Sequence, residues 1–511
     1  MYDYVIVGGG TAGCILANRL SADSSIDVLL LEAGAVEEGR EDVMDPGRVW
    51  ELLGSDIDWQ FETTEDPGLN GRSIEQPRGK ALGGSTAING MAYVRGNAYD
   101  YDRWAELGAD GWSYEEVLPY FQRGEGMVDD QVDEDYHGFD GEWQVERGNP
   151  DPFSQTLVEA ARDVGFEKNL DFNGAQQAGV GYYHSTRKDG ERHTAAAAFV
   201  LPVLEERDNL TVETGAHVTT LTFDGDRASG AVYEQGGSRH EVEVTDGGEV
   251  ILAAGAIQSP QLLMLSGVGP ADHLEDHGIE VHVDLDGVGR NLQDHLRYSV
   301  AWESPEPLDI GWLEETQRYD RVLVGAFETA DDDRPAPDIQ YGIGPGIDPE
   351  RPPDEGFSVT TLPLRPTSTG RITLQSDDPY DDPVLDFRYL STEKDREDAV
   401  ACVRKARRIG ESEVLDEYRA EEVRPGPDAK SDEELLEFVR DTAVTGYHPS
   451  CTCKMGPRDD QSVVDPELRV YGVDGLRVID ASVMPRVTSG NTNAPTWAIA
   501  EKGAEIVLDA R

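Results

Sequence analysis

The chain has 511 residues, 44 basic and 101 acidic, for a formal net charge of −57. That length suits two or three domains, and so negative a chain is a poor partner for nucleic acid or anionic membrane. Four cysteines make no disulfide framework at this length, and no apolar run nears the ~20 residues of a membrane span. The acids are scattered, as in Asp377-Asp378 and Asp381-Asp382, and are not gathered in one tail. Such a charge repels itself at low ionic strength and is screened at molar salt, where the Debye length is about 3 Å. The expectation is a cytoplasmic protein of an organism with a salty interior, with no signal peptide before the first strand.

Tyr4–Val7 is a short apolar run that predicts a buried strand, and it leads into Gly8-Gly9-Gly10-Thr11-Ala12-Gly13, a G-x-G-x-x-G. Ile15, Leu16, Ala17 and Leu20 recur at helical spacing, and a second apolar run, Val28–Leu31, ends in Glu32. This is a strand–turn–helix–strand unit for a dinucleotide. Gly8 permits the tight turn, Gly10 the approach of a pyrophosphate, and Gly13 close packing of the helix on the sheet. Glu32 is placed to accept from a ribose hydroxyl and disfavours a 2′-phosphate, which argues against NADP. The motif alone does not separate FAD from NAD.

Residues 35–75 form a polar excursion carrying Trp50, Trp59 and Phe61, of a kind that can cover a ligand. A second glycine loop, Gly83-Gly84-Ser85-Thr86, suits a cofactor with a long second half. Ser113 with Glu116 predicts a capping box. Residues 124–150 read as loop and 154–164 as helix. Strands are predicted at Leu210–Glu213, Val218–Phe223, Ala231–Glu234, Glu241–Val244 and Glu249–Ala253. A helix follows, with Ser259 as N-cap, Pro260 at its first position and Gly267 closing it. Residues 300–445 differ in texture, with most of the prolines, strand-like pieces and helices near 396–409 and 432–442, and read as a separate substrate domain. Leu476–Ile479 then predicts a strand of the first domain, ending in Asp480, and 494–508 a C-terminal helix.

His448 lies in the aperiodic, Pro- and Gly-flanked stretch Thr445–Gly456, where a scaffold positions side chains. A histidine there can take a proton from a substrate hydroxyl near neutral pH, or it can be structural. Asn491 and Asn493 precede the last helix, where capping by one of them competes with a role in holding that hydroxyl. Cys451 and Cys453 beside His448 are too few ligands for zinc and read as buried small residues. No metal site is expected.

Taken together, these stretches resemble the glucose–methanol–choline (GMC) oxidoreductase family, in its choline-dehydrogenase-like branch. The match runs from Tyr4 to Gly503. GGGTAG…LLLEAG is similar to its FAD fingerprint. GKALGGSTAINGMAYVRG (79–96) and GAIQSPQLLMLSGVG (255–269) are similar to its two signatures. GVGRNLQDH (287–295), GYHPSCTCKMG (446–456) and LRVIDASVMP…SGNTNAPT (476–496) match further blocks.

The resemblance implies an α/β fold with a Rossmann-like FAD-binding domain (1–155, 205–298 and 446–511). A substrate-binding domain on an antiparallel sheet (299–445, with 156–204 contributing) would accompany it. It implies FAD-dependent oxidation of an alcohol to an aldehyde or ketone. His448 would accept the hydroxyl proton, Asn491 would orient the alkoxide, and the carbinol carbon would give hydride to flavin N5. A non-redox, hydroxynitrile-lyase-like activity on the same fold is the alternative. FAD contacts would come from Gly8, Gly10, Thr11, Ala12, Gly13, Glu32 and Ala33, and from Gly83, Ser85, Asn89 and Gly90. Val218 would meet the adenine, and Asp480, Ala481, Asn491 and Thr492 would lie along the pyrophosphate and isoalloxazine. Ile88 stands where a covalently attached flavin would need histidine, so FAD is expected to be non-covalent. Ser450-Cys451 departs from the family's loop. The substrate alcohol and the electron acceptor (oxygen, quinone or a carrier protein) stay open. Choline would call for an aromatic cage and a carboxylate near the flavin.

Overall fold

Strand β1 (Tyr2–Val7) sits inside a parallel sheet between β2 (Val28–Glu32) and the strand Ser238–Leu252. The computed structural model describes all residues of the chain except 38, 149, 311–323, 332, 349, 350 and 460. Tyr4–Val7 and all of β2 are buried, as a strand covered on both faces requires. Helix α1 (Thr11–Leu20) crosses between β1 and β2. The strand Leu210–Thr214 pairs in parallel with β2, and Leu476–Val478 with Val250–Leu252. A sheet is thus assembled from segments that lie nearly 480 residues apart in sequence.

Gly8 has φ +101°, and a Cβ on it would lie 2.6 Å from the Ala253 carbonyl oxygen. A Cβ on Gly13 would lie 1.8 Å from the Gly8 carbonyl oxygen, so the helix reaches the sheet only with glycine there.

Two expectations are corrected here. The runs Glu241–Val244 and Glu249–Ala253 are one strand. Its first half closes an antiparallel meander with Ala216–Asp224 and Arg227–Gln235, and its end joins β1 in parallel. Residues 245–248 are absorbed as a register shift against Tyr2 and Tyr4. Residues 124–150 are not simply loop. Glu125–Met127 pairs with Trp143–Arg147, because Trp143 and Val145 are buried and Glu125, itself buried, holds Arg95 at 2.6 Å.

The second large sheet is antiparallel. Its order is Glu422–Arg424, Leu296–Glu303, Gly356–Pro363, Ile339–Pro345, Val324–Glu328 and Gly179–Tyr182, with Val444–Thr445 beside Leu296–Arg297. Period-2 alternation gives it two faces. Tyr341, Ile343, Phe357 and Val359 are buried on one side, where the helix Glu393–Gly410 packs. Gln340, Gly342, Gly344, Ser358, Thr360 and Leu362 face a cavity on the other.

The Ser113 capping box forms as predicted, Ser431 forms another with Glu434, and Gly267 (φ +82°) ends its helix. Ser259 and Pro260, however, lie inside the helix Gly255–Leu265. Proline removes the N–H that would meet the Ala256 carbonyl, and the Thr452 hydroxyl donates to that carbonyl instead, at 2.6 Å.

Candidate active site

A cavity of about 450 Å³ runs from Glu32, past Gly10 and Gly84, to His448. Trp50, Leu53 and Trp59 of the 35–75 excursion line it, as an insertion over a ligand should. Helices that begin at its wall include α1, Gly255–Leu265 and Asn493–Asp509. None of their N-caps (Gly10, Ala254 and Thr492) makes a side-chain capping bond. Asp151, Thr392 and Ser431 do cap the helices they precede away from the cavity. The starts of α1 and of Asn493–Asp509 present free N–H groups and positive potential to an anion, whereas the first N–H of Gly255–Leu265 is taken by the Asp480 carboxylate. A Cβ on Gly10 would meet nothing closer than 3.9 Å, and one on Gly90 nothing within 4 Å. Packing does not demand glycine at these positions, which fits a ligand lying against the backbone. The residues present suit the two phosphates and fused rings of FAD.

Of the expected cofactor residues, Gly8, Gly10, Thr11, Ala12, Glu32, Ala33, Ser85, Asn89, Gly90, Val218, Asp480, Ala481, Asn491 and Thr492 line the cavity. Gly13 and Gly83 sit behind it, and Gly83 N–H donates to the Gly9 carbonyl at 2.7 Å, tying the two glycine loops together. Glu32 accepts from Gly9 N–H and Gly34 N–H, each at 2.7 Å. Burial pushes its pKa up to about 7 against the pull of those N–H groups. The Asp480 carboxylate is turned to the protein, accepting from Gly255 N–H, Ser259 and Ser482 N–H. Asn89 is held by Arg192, which donates to its carbonyl and side-chain oxygen and to the Val43 and Thr86 carbonyls. Arg192 is buried, and desolvation lowers its pKa to about 9.

The expectation that Asn491 or Asn493 caps the last helix is corrected. Asn493 accepts from the Thr11 hydroxyl at 2.7 Å, joining two helix starts. Asn491 turns into the cavity, where its Nδ2 lies 3.1 Å from His448 Nε2 and its Oδ1 accepts from Gln340 Nε2 at 2.9 Å.

His448 is pinned from behind by buried Asp294, which accepts from its backbone N–H at 2.8 Å and also from Thr445 and Tyr389. Its loop is further held by pairing of Ser450 with Gln293 and of Cys451 and Cys453 with Ala481 and Ser482. Cys451 and Cys453 are buried free thiols, as read from the sequence. Among the described residues no cluster could hold a metal ion.

His448 Nδ1 lies 2.9 Å from His295 Nδ1, and His295 Nε2 lies 3.0 Å from the Leu364 carbonyl. That carbonyl can only accept, so His295 carries its proton on Nε2 and its Nδ1 is an acceptor. His448 therefore donates from Nδ1, and its Nε2 lone pair accepts from the Asn491 amide at 3.1 Å. Burial pushes His295 down to about 4. Burial, then the charges of His295, Arg78 and Arg297, hold His448 well below the ordinary histidine range.

Sequence reading missed Asp294, His295, Gln340 and Arg192 as parts of the site. An adjacent Asp-His in the GVGRNLQDH block was the signal available for the first two. Gln340 and Arg192 carry none.

A dinucleotide-binding sheet joined to an antiparallel substrate sheet, with a histidine–amide pair where they meet, defines an FAD-dependent oxidoreductase acting on CH–OH groups. The chain belongs to the GMC oxidoreductase family, whose N-terminal model matches residues 2–297 and C-terminal model residues 366–500. It is 42% identical to the human mitochondrial choline dehydrogenase, over 99% of this chain and 89% of that one. It is 40% identical to the oxygen-dependent choline dehydrogenase of Photobacterium profundum, over 99% and 93%. Among solved structures, pyridoxine 4-oxidase from Mesorbium loti superposes with a TM-score of 0.92 at 32% identity, covering 99% of each chain. The cofactor is FAD and the reaction is oxidation of an alcohol. No helix among the described residues is long and apolar enough to cross a membrane.

Proposed function

We propose that His448 is the general base and Asn491 the orienting group of this alcohol oxidation. The observation that carries the reading is the chain of hydrogen bonds Leu364–His295–His448–Asn491–Gln340. It turns an acceptor nitrogen, His448 Nε2, to the cavity, where the Asn491 amide N–H occupies the lone pair that a substrate hydroxyl would take over. The substrate hydroxyl gives its proton to His448 Nε2, and the Asn491 amide donates to the developing alkoxide, a charge it meets already oriented. FAD, when bound, supplies the acceptor for the hydrogen and electron pair of the carbinol carbon.

Glu32 serves the ribose, Val218 the adenine, and the uncapped helix starts the pyrophosphate. The segments 1–155, 205–298 and 446–511 hold FAD, and 299–445 closes the substrate side. FAD is held without a covalent bond, since Ile88 and not histidine stands at the flavin-facing turn. The negative chain works in a salty cytoplasm, and the electron acceptor is oxygen, a quinone or a carrier protein.

His448→Ala should purify yellow, with its flavin in place, and lose about 10²–10⁴-fold in the rate of anaerobic flavin reduction by alcohol. Unchanged reduction would remove His448 from the mechanism.

A further inference from the structure

Among the described residues, the substrate end of the cavity carries arginine and no carboxylate. Among the described residues lining the cavity, the carboxylates are Glu32 and Asp480, both at the dinucleotide end and both engaged with backbone N–H groups. The wall near His448 carries Arg78 and Arg297 instead. In a chain with 101 acids and 44 bases, a wall whose described charged residues are arginines runs against composition.

Arg297 is the sharper feature. It lies on the strand Leu296–Glu303, two residues after His295, on the face that carries Ser299 and Thr360. Its guanidinium carbon is 5.1 Å from the ring centre of Tyr447 and 5.3 Å from that of Trp50, and Nη2 donates to the Tyr447 hydroxyl at 3.2 Å. The aromatic faces that could cage a quaternary ammonium are thus filled by a cation of the protein itself. Arg297 forms no ion pair with a described carboxylate, and its fork is suited to a planar anion.

We propose that the substrate is an alcohol that carries a carboxylate, held by Arg297, and not a quaternary ammonium alcohol. The proposal rests on the reading that alcohols are oxidised at His448. The carbinol O–H gives its proton to His448 Nε2. The carbinol C–H gives its hydrogen and electron pair to FAD. The carboxylate is unchanged, and the product is an oxo acid. A carboxylate on Arg297 also offsets one of the positive charges that make His448 a weak base, so the correct substrate strengthens the base that acts on it. A cationic substrate would weaken it further.

The test is anaerobic flavin reduction in the holoenzyme at fixed ionic strength, with three kinds of primary alcohol. They are choline, its neutral isostere 3,3-dimethylbutan-1-ol, and hydroxy acids from 3-hydroxypropionate to 6-hydroxyhexanoate with 4-(hydroxymethyl)benzoate. The best hydroxy acid should exceed the neutral alcohol at least tenfold in kcat/KM, and choline should fall below it. Arg297→Glu should reverse that order. In a readout without turnover, acetate should perturb the oxidised flavin spectrum of the native enzyme and not that of Arg297→Gln, and tetramethylammonium should perturb neither. Choline reducing the flavin as fast as its neutral isostere, or hydroxy acids no better than that isostere, overturns the anionic substrate and leaves alcohol oxidation standing. A flavin that no alcohol reduces overturns both.

Discussion

The Nδ1 atoms of His448 and His295 lie 2.9 Å apart, so a single proton is shared between two buried rings. With His295 anchored to the Leu364 carbonyl, that proton belongs to His448, and the tautomer of the proposed base is set from behind. The role parallels that of an acid that orients a catalytic histidine, here filled by a second imidazole.

Replacing His295 should therefore act on kcat and on pH. His295→Phe leaves His448 Nδ1 without an acceptor and should cost on the order of 10- to 100-fold in flavin reduction. His295→Gln, which keeps an acceptor oxygen, should retain most of the rate. In the native enzyme His448 titrates well below the usual range. Its base form is full at neutral pH, and kcat/KM should fall only as pH drops through that lowered value. His295 contributes to the lowering, so in His295→Phe the acid limb should move to higher pH. An unmoved profile would assign His295 a merely structural part.

Glu32 predicts a pH dependence of cofactor binding. Its carboxyl is pushed up to about 7 by burial, and ionisation improves it as an acceptor for a ribose hydroxyl. FAD affinity of the apoprotein, read by flavin fluorescence, should tighten as pH rises from 6 to 8. Glu32→Gln should flatten that rise and weaken binding by about tenfold, the ~1.4 kcal/mol of a charge-assisted hydrogen bond.

The hydroxyl of Thr452 answers the carbonyl that Pro260 leaves without its helical partner. Thr452→Val should cost about 1–3 kcal/mol of stability in chemical denaturation. Adding Pro260→Ala, which restores the N–H, should recover much of that loss. Equal losses in the single and double variants would show that the carbonyl was not the cause.

Net charge predicts a salt requirement. With −57 on 511 residues, lowering salt from molar to about 0.1 M lengthens the Debye length from about 3 to about 10 Å. The midpoint of thermal unfolding should drop, and an uncharged osmolyte should restore it less than potassium chloride does.

The N-terminal unit was legible because its determinants are local. The glycine spacing, the apolar runs on either side and Glu32 lie within 31 residues, and steric limits at Gly8 and Gly13 act over single contacts. The same holds for the capping box at Ser113. Ordered family blocks carried FAD and alcohol oxidation further. Spacing alone did not settle which of Asn491 and Asn493 reaches His448, although the family resemblance pointed to Asn491, and nothing in the sequence showed that Ser259 lies inside a helix or that His295 stands behind His448. It was equally silent on Arg297 filling the aromatic pair of Trp50 and Tyr447. Those facts depend on pairs brought together by the meeting of two sheets: His295 and His448 are 153 residues apart, and Gln340 and Asn491 are 151. Local chemistry decides what a segment can form. Charge and tautomer at a site depend on distant groups that burial forces within hydrogen-bonding distance.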